Sequence, residues 1–246
     1  MQNYRPVFGS IPPVVKNLII INVLMLLASF LIEMRGADLN ALLGLHFILS
    51  PAFRPFQLVT HMFMHAGISH IFFNMFALWM FGRVLESVWG PKRFFIYYFV
   101  TGLGAAALHM FVSYLEFQSL IGKMSPEQVD LVMREGVSIF RQGKNFTDPL
   151  MGKLNLLMNI PTVGASGAVY GVLLGFGVLF PNTQLMLLFP PIPIRAKYFV
   201  IGYGALELFL GFSNPGSNVA HFAHLGGMLF GYLLIRYWNK HSRNFY

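Results

Sequence analysis

A few polar side chains lie inside long apolar stretches of this sequence, where polar groups are costly and are therefore functional candidates. Ser166 follows Gly164 and Ala165 and precedes Gly167, at the start of one such stretch. Glycines on both sides leave the serine hydroxyl uncrowded, and a serine at a helix N-terminus lies beside free backbone N–H groups. Those groups can stabilise a developing oxyanion, which favours a nucleophilic serine. Close helix packing is the alternative, because Gly, Ala and Ser are enriched where membrane helices meet.

His224 is the candidate base for this serine. It lies one turn before Gly227, and Gly227 with Gly231 forms a Gly-x-x-x-Gly face that lets a helix approach its neighbour closely. If that neighbour carries Ser166, the imidazole reaches the hydroxyl and can act as its general base. A hydrogen bond between helices is the alternative for a histidine in a membrane. The preceding imidazole, His221, is expected to line the site passively.

A second pair, His70 and Asn74, is separated by four residues and therefore shares one face of a helix. Both side chains donate hydrogen bonds without carrying a charge, which suits them to hold an oxyanion. His61 and His65 have the same spacing, which is compatible with a metal site. No acid or cysteine lies near them to complete such a site, and the His-Glu-x-x-His signature is absent. We therefore expect no metal.

Tyr170 and Glu207 are the remaining polar candidates. Tyr170 follows Ser166 by four residues, so it lies on the same helical face and either stacks on an imidazole or fills the core. Glu207 has no basic residue within its apolar stretch. A structural hydrogen bond is the favoured role for this acid, and a proton relay is the alternative.

The composition indicates which environment must position these residues. Of the 246 residues, 56% are hydrophobic and 11% are charged, whereas about 25% are charged in soluble proteins. So few charges cannot cover a soluble surface, which excludes an ordinary cytosolic enzyme, a disordered chain and a nucleic-acid binder. The absence of cysteine removes disulfides, cysteine nucleophiles and thiolate metal sites. An all-α, polytopic membrane protein in contact with the lipid bilayer is the class that remains.

Six apolar spans are predicted, each close to the roughly 20 residues that cross about 30 Å of hydrocarbon. The fourth and fifth are short, so we expect irregular backbone, buried in protein, near 164–167 and 213–218. The resulting domain covers 14–238, with a segment 1–13 before it and a tail 239–246 after it. The spans cover residues 14–32, 57–81, 94–115, 163–180, 198–212 and 219–238.

Charge asymmetry predicts the orientation of these spans. The side that holds both termini carries ten basic residues and one acid, whereas the other side carries seven of each. Because basic residues collect on cytoplasmic loops, both termini are expected in the cytoplasm. The protein is accordingly predicted to be an integral protein of a bacterial inner membrane.

Two long connections face the opposite side. Residues 33–56 are rich in apolar and aromatic residues, and we expect them to lie partly in the membrane interface. Residues 116–160 are polar, and Ser125 followed by Pro126 is typical of a capped helix start. We predict an outward-facing insertion that contains one helix.

In combination these motifs resemble the rhomboid family of intramembrane serine proteases. The resemblance covers about residues 14–238, and the six spans and their orientation agree with it. Each motif is weak alone, but their order within the matching spans is specific. In chain order the motifs are His65 with His70-x-x-x-Asn74, Glu86-x-x-x-Gly90, Gly164-Ala-Ser166-Gly167 with Tyr170, and Ala223-His224-Leu-Gly226-Gly227-x-x-x-Gly231.

The resemblance implies an intramembrane serine endopeptidase built on a six-transmembrane-helix bundle. Ser166 would be the nucleophile and His224 the general base, as a dyad with no acidic third member. His70, Asn74 and the backbone N–H of Ser166 would hold the oxyanion, and Tyr170 would pack on His224. The implied substrates are single-span membrane proteins, cut near the outer membrane surface, and no cofactor is implied.

The resemblance also implies that span five and residues 212–219 form a lateral gate and a cap. Phe56-Gln57 departs from the family's Trp followed by Arg or Gln, and the 116–160 insertion exceeds the compact fold.

The sequence leaves two other functions open. A proteolytically inactive rhomboid-like binder would typically lack the Ser or the His, and both are present. A small transporter would use Glu207 in a proton path, but such proteins often have two matched halves, and this sequence has no internal repeat.

Overall fold

The computed structural model describes residues 11–186, 191–213 and 220–241. Within these ranges the chain is mainly helical, and its strands form a two-stranded antiparallel ribbon of β1 (Gln184–Met186) and β2 (Pro193–Arg195). This confirms the predicted all-α class. The helices are α1 (Pro13–Glu33), α2 (Leu39–Leu43), α3 (Gln57–Thr60), α4 (Ile68–Ala77), α5 (Arg83–Ile121), α6 (Pro126–Arg141), α7 (Pro149–Asn159), α8 (Ser166–Leu179), α9 (Ala196–Ser213) and α10 (His221–His241).

Three predicted features fall mainly outside the described residues. They are most of the segment 1–13, most of the tail 239–246, and residues 214–219 of the predicted cap and backbone break.

Helix α1 begins at a buried carboxylate. The N–H groups of Val14 and Val15 donate to the two oxygens of Glu86, at 2.9 and 2.8 Å. The first N–H groups of a helix have no partner within the helix, and an anion there also interacts favourably with the helix dipole. Glu86 lies on α5, so this contact fixes the start of α1 against α5.

The helical stretch Ile68–Ile121, which contains α4 and α5, turns back on itself at Gly90 within α5. Gly90, inside α5, has a φ of 78° and is followed by a proline, which interrupts the helix. Gly82 before the bend lies against the ring of Phe94 after it. Farther from the bend, the ring centroid of Phe63 is 6.4 Å from that of Phe99. Residues nearer to Gly90 contact each other across the bend, as do residues farther from it on either side. The chain therefore turns back on itself at Gly90.

The predicted second span, 57–81, starts too early. The chain forms the single turn of α3 and a 3₁₀ turn at His61–Phe63, and regular helix resumes only at Ile68. The intervening residues include Met64 and Gly67, whose extended backbone ends the first helical turns. The stretch 57–81 is apolar on average, so hydropathy alone does not reveal this break.

The first long connection is folded against this break. Gln57 is 1% exposed, and its side chain makes four hydrogen bonds of 3.1 to 3.3 Å to backbone groups. The amide oxygen accepts the N–H groups of His46 and Arg54, and the amide nitrogen donates to the carbonyls of Leu42 and Ala52. Gln57 thus holds several backbone segments of this connection together, although no motif in the sequence marks it.

Helix α8 packs between α5 and α10 because glycines face both contacts. A Cβ at Gly167 would overlap Ala105 of α5, and a Cβ at Gly227 of α10 would overlap the carbonyl oxygen of Gly167. One turn after Gly227, Gly231 lies against the hydroxyl of Tyr97 on α5. These small residues let the three helix backbones approach closely, as is common between membrane helices.

Two helical stretches among the described residues are long and apolar enough to cross a membrane, namely α1 and the stretch Ile68–Ile121 that holds α4 and α5. Helix α8 is apolar but has 14 residues. The count of six spans therefore stays a prediction. Large apolar side chains are exposed on several helices, for example Leu31 and Phe209 at 64% and 66%. Lipid, rather than water, suits such surfaces.

The 116–160 insertion contains two helices, so the prediction of one helix is wrong. Ser125 accepts the N–H of Gln128 and caps α6, as its sequence indicates. Asp148 caps α7 in the same way, followed by Pro149. Both helices pack on the end of α5 around a separate core of Phe47, Phe117, Leu120, Val132, Met151, Leu154 and Met158.

Candidate active site

The loop that leads into α8 is held on both sides. Thr162 forms an antiparallel bridge with Leu45, through two backbone hydrogen bonds of 2.8 Å. The N–H of Gly164 donates to the carbonyl oxygen of His61 at 2.9 Å. The helix then begins at Ser166, so its hydroxyl and N–H lie at a fixed helix N-terminus.

The hydroxyl of Ser166 lies within hydrogen-bond distance of His224. Oγ is 2.8 Å from Nε2 of the imidazole, although the two residues are 58 positions apart in the chain. Gly167 follows Ser166 directly, and Gly227 lies one turn after His224. The close contact between these two glycines allows the serine and the histidine to approach. His224 is 8% exposed. A serine hydroxyl that donates to a shielded imidazole nitrogen can transfer its proton to that nitrogen.

Tyr170 limits the movement of this imidazole. Its ring lies parallel to that of His224, with an angle of 4° between the planes and 4.2 Å between the centroids. Tyr170 and Ser166 are one turn apart on α8, so one helix supplies both the hydroxyl and a flat surface beside the base. On the α9 side, the ring of Tyr203 is 6.4 Å from that of Tyr170.

Glu207 of α9 adds a carboxylate to this group. Its Oε2 is 2.6 Å from Nδ1 of His221, and its Oε1 accepts a hydrogen bond from the Tyr170 hydroxyl. Oε1 is also 3.0 Å from Nδ1 of His224. This last contact is close but is not an aligned hydrogen bond, so Nδ1 of His224 has no other partner among the described atoms.

The resemblance implies a dyad with no acidic third member, and the structure adds the observation that the Glu207 carboxylate lies beside the imidazole of His224. The favoured structural hydrogen bond of Glu207 is present, but one of its oxygens also lies beside the imidazole. His221, expected to be a passive lining residue, binds the carboxylate directly. A lone acid in an apolar span, with two histidines one turn apart in the next span, was the sequence signal for this cluster.

The two candidate oxyanion donors lie on α4. His70 is against Gly164, where a Cβ would be 2.8 Å from Cε1 of the imidazole. Gly164 has a φ of 132°, so both its conformation and this contact require glycine. Asn74 is 6% exposed and donates one amide hydrogen to the carbonyl oxygen of His70 at 2.8 Å. An amide has a second N–H that this bond leaves free to donate.

Sequence comparison identifies the family. The family model described as "Rhomboid domain" matches residues 52–240, more than half of the chain. The chain belongs to the rhomboid family. The match includes α3 to α10, and with them every residue of the cluster around Ser166.

Several curated rhomboid proteins are similar to this one. RHOMBOID-like protein 12, mitochondrial, of Arabidopsis thaliana is 31% identical over 69% of this chain and 42% of its own length. Rhomboid protein 1, mitochondrial, of Saccharomyces cerevisiae is 25% identical over 72% of this chain and 40% of its own length. Rhomboid protease GluP of Bacillus subtilis is 25% identical over 72% of this chain and 24% of its own length. This rhomboid therefore spans less than half the length of these relatives.

Family membership makes this rhomboid a membrane-embedded protein. The prediction of a bacterial inner membrane is not supported, because two of the three relatives above carry mitochondrial names.

Other histidines of this rhomboid serve its structure. His61 and His65 do not share a helical face, because a 3₁₀ turn and irregular backbone separate them. His61 instead pairs through Nδ1 with the carbonyl oxygen of Gln57 at 2.8 Å. Nε2 of His109 lies 2.8 Å from the hydroxyl of Thr162 and supports the loop before Ser166.

One group of side chains in the described part of the chain has the composition of a metal site. The ligand atoms of Glu207, His221 and His224 lie within 4.8 Å of one another. The same side chains already face Ser166, Tyr170 and each other, so they satisfy most of their hydrogen bonds within the cluster, and Nδ1 of His224 is the ring nitrogen without an aligned one.

Proposed function

We propose that this rhomboid is a serine endopeptidase that hydrolyses peptide bonds at the membrane, with Ser166 as nucleophile and His224 as general base. The observation that carries the proposal is the 2.8 Å contact between Oγ of Ser166 and Nε2 of His224. The name Rhomboid protease, carried by the Bacillus subtilis relative, supports the same reaction. The nucleophile at a helix N-terminus and the shielded base are the parts that this chemistry needs.

In this mechanism the oxygen of Ser166 attacks the carbonyl carbon of the substrate while its proton moves to Nε2 of His224. The electron pair of the carbonyl bond moves to its oxygen, which the N–H of Ser166, His70 and Asn74 stabilise. Collapse of this intermediate breaks the C–N bond, and His224 gives its proton to the departing amine. Water then attacks the acyl-enzyme and loses a proton to His224. The C–O bond to Ser166 breaks, and His224 returns that proton to Oγ, which restores the serine hydroxyl.

The substrates of the proposed reaction are single-span membrane proteins. Exposed apolar side chains on α4 and α9, such as Phe73 at 63% and Ile201 at 66%, support access from the lipid. In the proposed topology six spans place both termini on one side of the membrane. The hydroxyl of Ser166 then lies toward the opposite side, where water can enter, and α9 forms the side of the entrance.

The decisive experiment compares variants of the reconstituted protein on a single-span substrate with a fluorescent tag. Ser166→Ala and His224→Ala should each lower the rate of cleavage by at least about 10³-fold, since a nucleophile and its base act together and the loss of either one removes the function of both. Ser29→Ala is the matched control, because within the described part of the chain the Ser29 hydroxyl donates to the carbonyl of Met25 on the same helix, α1. It should cleave at the rate of the unmodified protein.

A fluorophosphonate probe separates this proposal from an inactive binder of membrane clients. Covalent labelling at Ser166, lost in His224→Ala, is the expected result. If Ser166→Ala cleaves at the unmodified rate, or if the folded protein neither labels nor cleaves, the proposal is wrong.

A further inference from the structure

Glu207 is the acidic residue inside the apolar helix α9, and it is 6% exposed. A carboxylate so placed must be compensated, because burying an unpaired charge is costly. Among the described residues its partners are three side chains from two other helices, namely the hydroxyl of Tyr170 on α8 and the imidazoles of His221 and His224 on α10. The carboxylate therefore binds α9 to the two helices that carry the candidate nucleophile and base.

The contact of His224 with Ser166 determines which nitrogen of the imidazole must carry the proton. A neutral imidazole has one N–H and one acceptor nitrogen. If Nε2 is to take the proton of Ser166, it must be the acceptor, and the proton of the neutral ring must lie on Nδ1. Nδ1 is the atom that lies 3.0 Å from Oε1 of Glu207.

We propose that Glu207 is a positioning residue of the proposed reaction, whose carboxylate keeps the proton of neutral His224 on Nδ1 and stabilises the imidazolium that forms when Nε2 accepts the Ser166 proton. This inference rests on the proposed function. The proton that moves is the one from Oγ to Nε2, and the carboxylate itself is not protonated in the step. In the serine protease triads the acid acts in the same way, by orientation and charge rather than by taking the proton.

The surroundings of the carboxylate favour this role. His221 engages Oε2 at 2.6 Å, which turns Oε1 toward Tyr170 and His224. Tyr170 donates to that same oxygen and also stacks on His224, so the oxygen lies close to the ring and off the direction of its N–H. Attraction between opposite charges depends mainly on distance, and it is strong where little water enters. The carboxylate can therefore stabilise an imidazolium without an aligned hydrogen bond.

A purely structural role predicts different behaviour. In that case Glu207 only ties α9 to α8 and α10, and a side chain of the same shape with similar hydrogen-bonding capacity replaces it without affecting the chemical step. Glu207→Gln makes this distinction, because Gln keeps the shape and an acceptor oxygen for Tyr170 but has no charge and adds an N–H donor. Glu207→Asp keeps the charge at a greater distance.

The experiment measures fluorophosphonate labelling and cleavage of the tagged substrate by full-length protein reconstituted in liposomes. In serine protease triads, replacing the acid by its amide lowers kcat about 10⁴-fold. We expect a fall of about 10²-fold in kcat and in labelling rate for Glu207→Gln, because the contact with Nδ1 is not aligned. KM should be unchanged, and Glu207→Asp should lie between Gln and the unmodified protein.

Glu86→Gln is the matched control, since Glu86 is equally buried but contacts only the start of α1 in the described bonds. It should label at the unmodified rate. Nitrogen NMR of His224 reports which ring nitrogen carries the proton, and a change in packing alone does not alter that position. Nδ1 should carry the proton in the unmodified protein, and the proton should be redistributed between the nitrogens in Glu207→Gln.

The outcomes separate this inference from the proposed function. If Glu207→Gln is folded and keeps its kcat while Ser166→Ala is inactive, Glu207 is structural and only this inference fails. If Ser166→Ala stays active, the proposed function fails. If EDTA abolishes cleavage by the unmodified protein and Zn²⁺ restores it, the cluster holds a metal and the positioning role is overturned.

Discussion

Glu86 and Glu207 are buried to a similar extent, with 2% and 6% of their surfaces exposed, but their carboxylates contact different kinds of donor. The oxygens of Glu86 accept the backbone N–H groups of Val14 and Val15 at the start of α1. The oxygens of Glu207 face side chains of α8 and α10, one of which is the proposed base. The two glutamates thus satisfy the same requirement, a partner for a buried charge, in two ways.

The difference lies in what the donors can do. A backbone N–H keeps its proton and its place as long as the helix exists, so Glu86 contributes to one structure and nothing else. Imidazole groups gain and lose protons, so a carboxylate beside them responds when a proton moves. A buried acid paired with titratable side chains is therefore a functional candidate, and one paired with a helix N-terminus is a structural one.

Among the variants that test this comparison of two glutamates, replacing Glu86 should give the largest effect, and it should be on stability. Glu86→Leu leaves two N–H groups without acceptors at a buried helix start, and each such group costs about 1–3 kcal/mol. We expect the free energy of unfolding to fall by about 2–4 kcal/mol, measured by denaturation of the purified protein in detergent. The kcat of the folded fraction should not change.

The Gln variant at this position sharpens the comparison. Glu86→Gln keeps one acceptor oxygen and should lose less stability than Glu86→Leu. A loss of kcat in either folded variant as large as that of Glu207→Gln would show that the two carboxylates do not differ in the way described.

Tyr170→Phe tests whether the position of Oε1 matters. Phe keeps the ring that stacks on His224 but lacks the hydroxyl that holds Oε1. A hydrogen bond to a charged group contributes about 1.5–3 kcal/mol, and part of that loss should appear in the chemical step. We expect kcat to fall about tenfold, with KM unchanged, in the same cleavage assay. An unchanged kcat would mean that the hydroxyl does not orient the carboxylate.

The sequence motifs were informative about the candidate site because they are local. The spacing of His70 and Asn74 needs only one helix, and the glycines at 167 and 227 carry the information that α8 and α10 touch. The lone acid of α9 and the two histidines of α10 indicate a cluster, but which atoms meet in it depends on the rotation of α9, and the largely apolar surface of α9 does not determine that rotation. That rotation depends on how α9 packs on α10.

The errors in the fold have similar reasons. The stretch 57–81 is apolar on average, so hydropathy could not reveal the break before Ile68, where Met64 and Gly67 have extended backbone. The second helix of the insertion was predictable. Asp148 followed by Pro149 is the same kind of start signal as Ser125 followed by Pro126.

His221→Leu should have the smallest effect, and it tests whether Glu207 acts on His224 directly. The variant removes the partner of Oε2 but leaves Oε1 with Tyr170 and beside Nδ1 of His224. Because the charge stays 3.0 Å from the imidazole, kcat should fall only about two- to threefold, a change below about 1 kcal/mol. Stability should fall as well, since α9 loses one link to α10. If His221→Leu instead lowers kcat as much as Glu207→Gln does, the carboxylate acts by holding His221 in place. Glu207 would then be a structural residue, as Glu86 is.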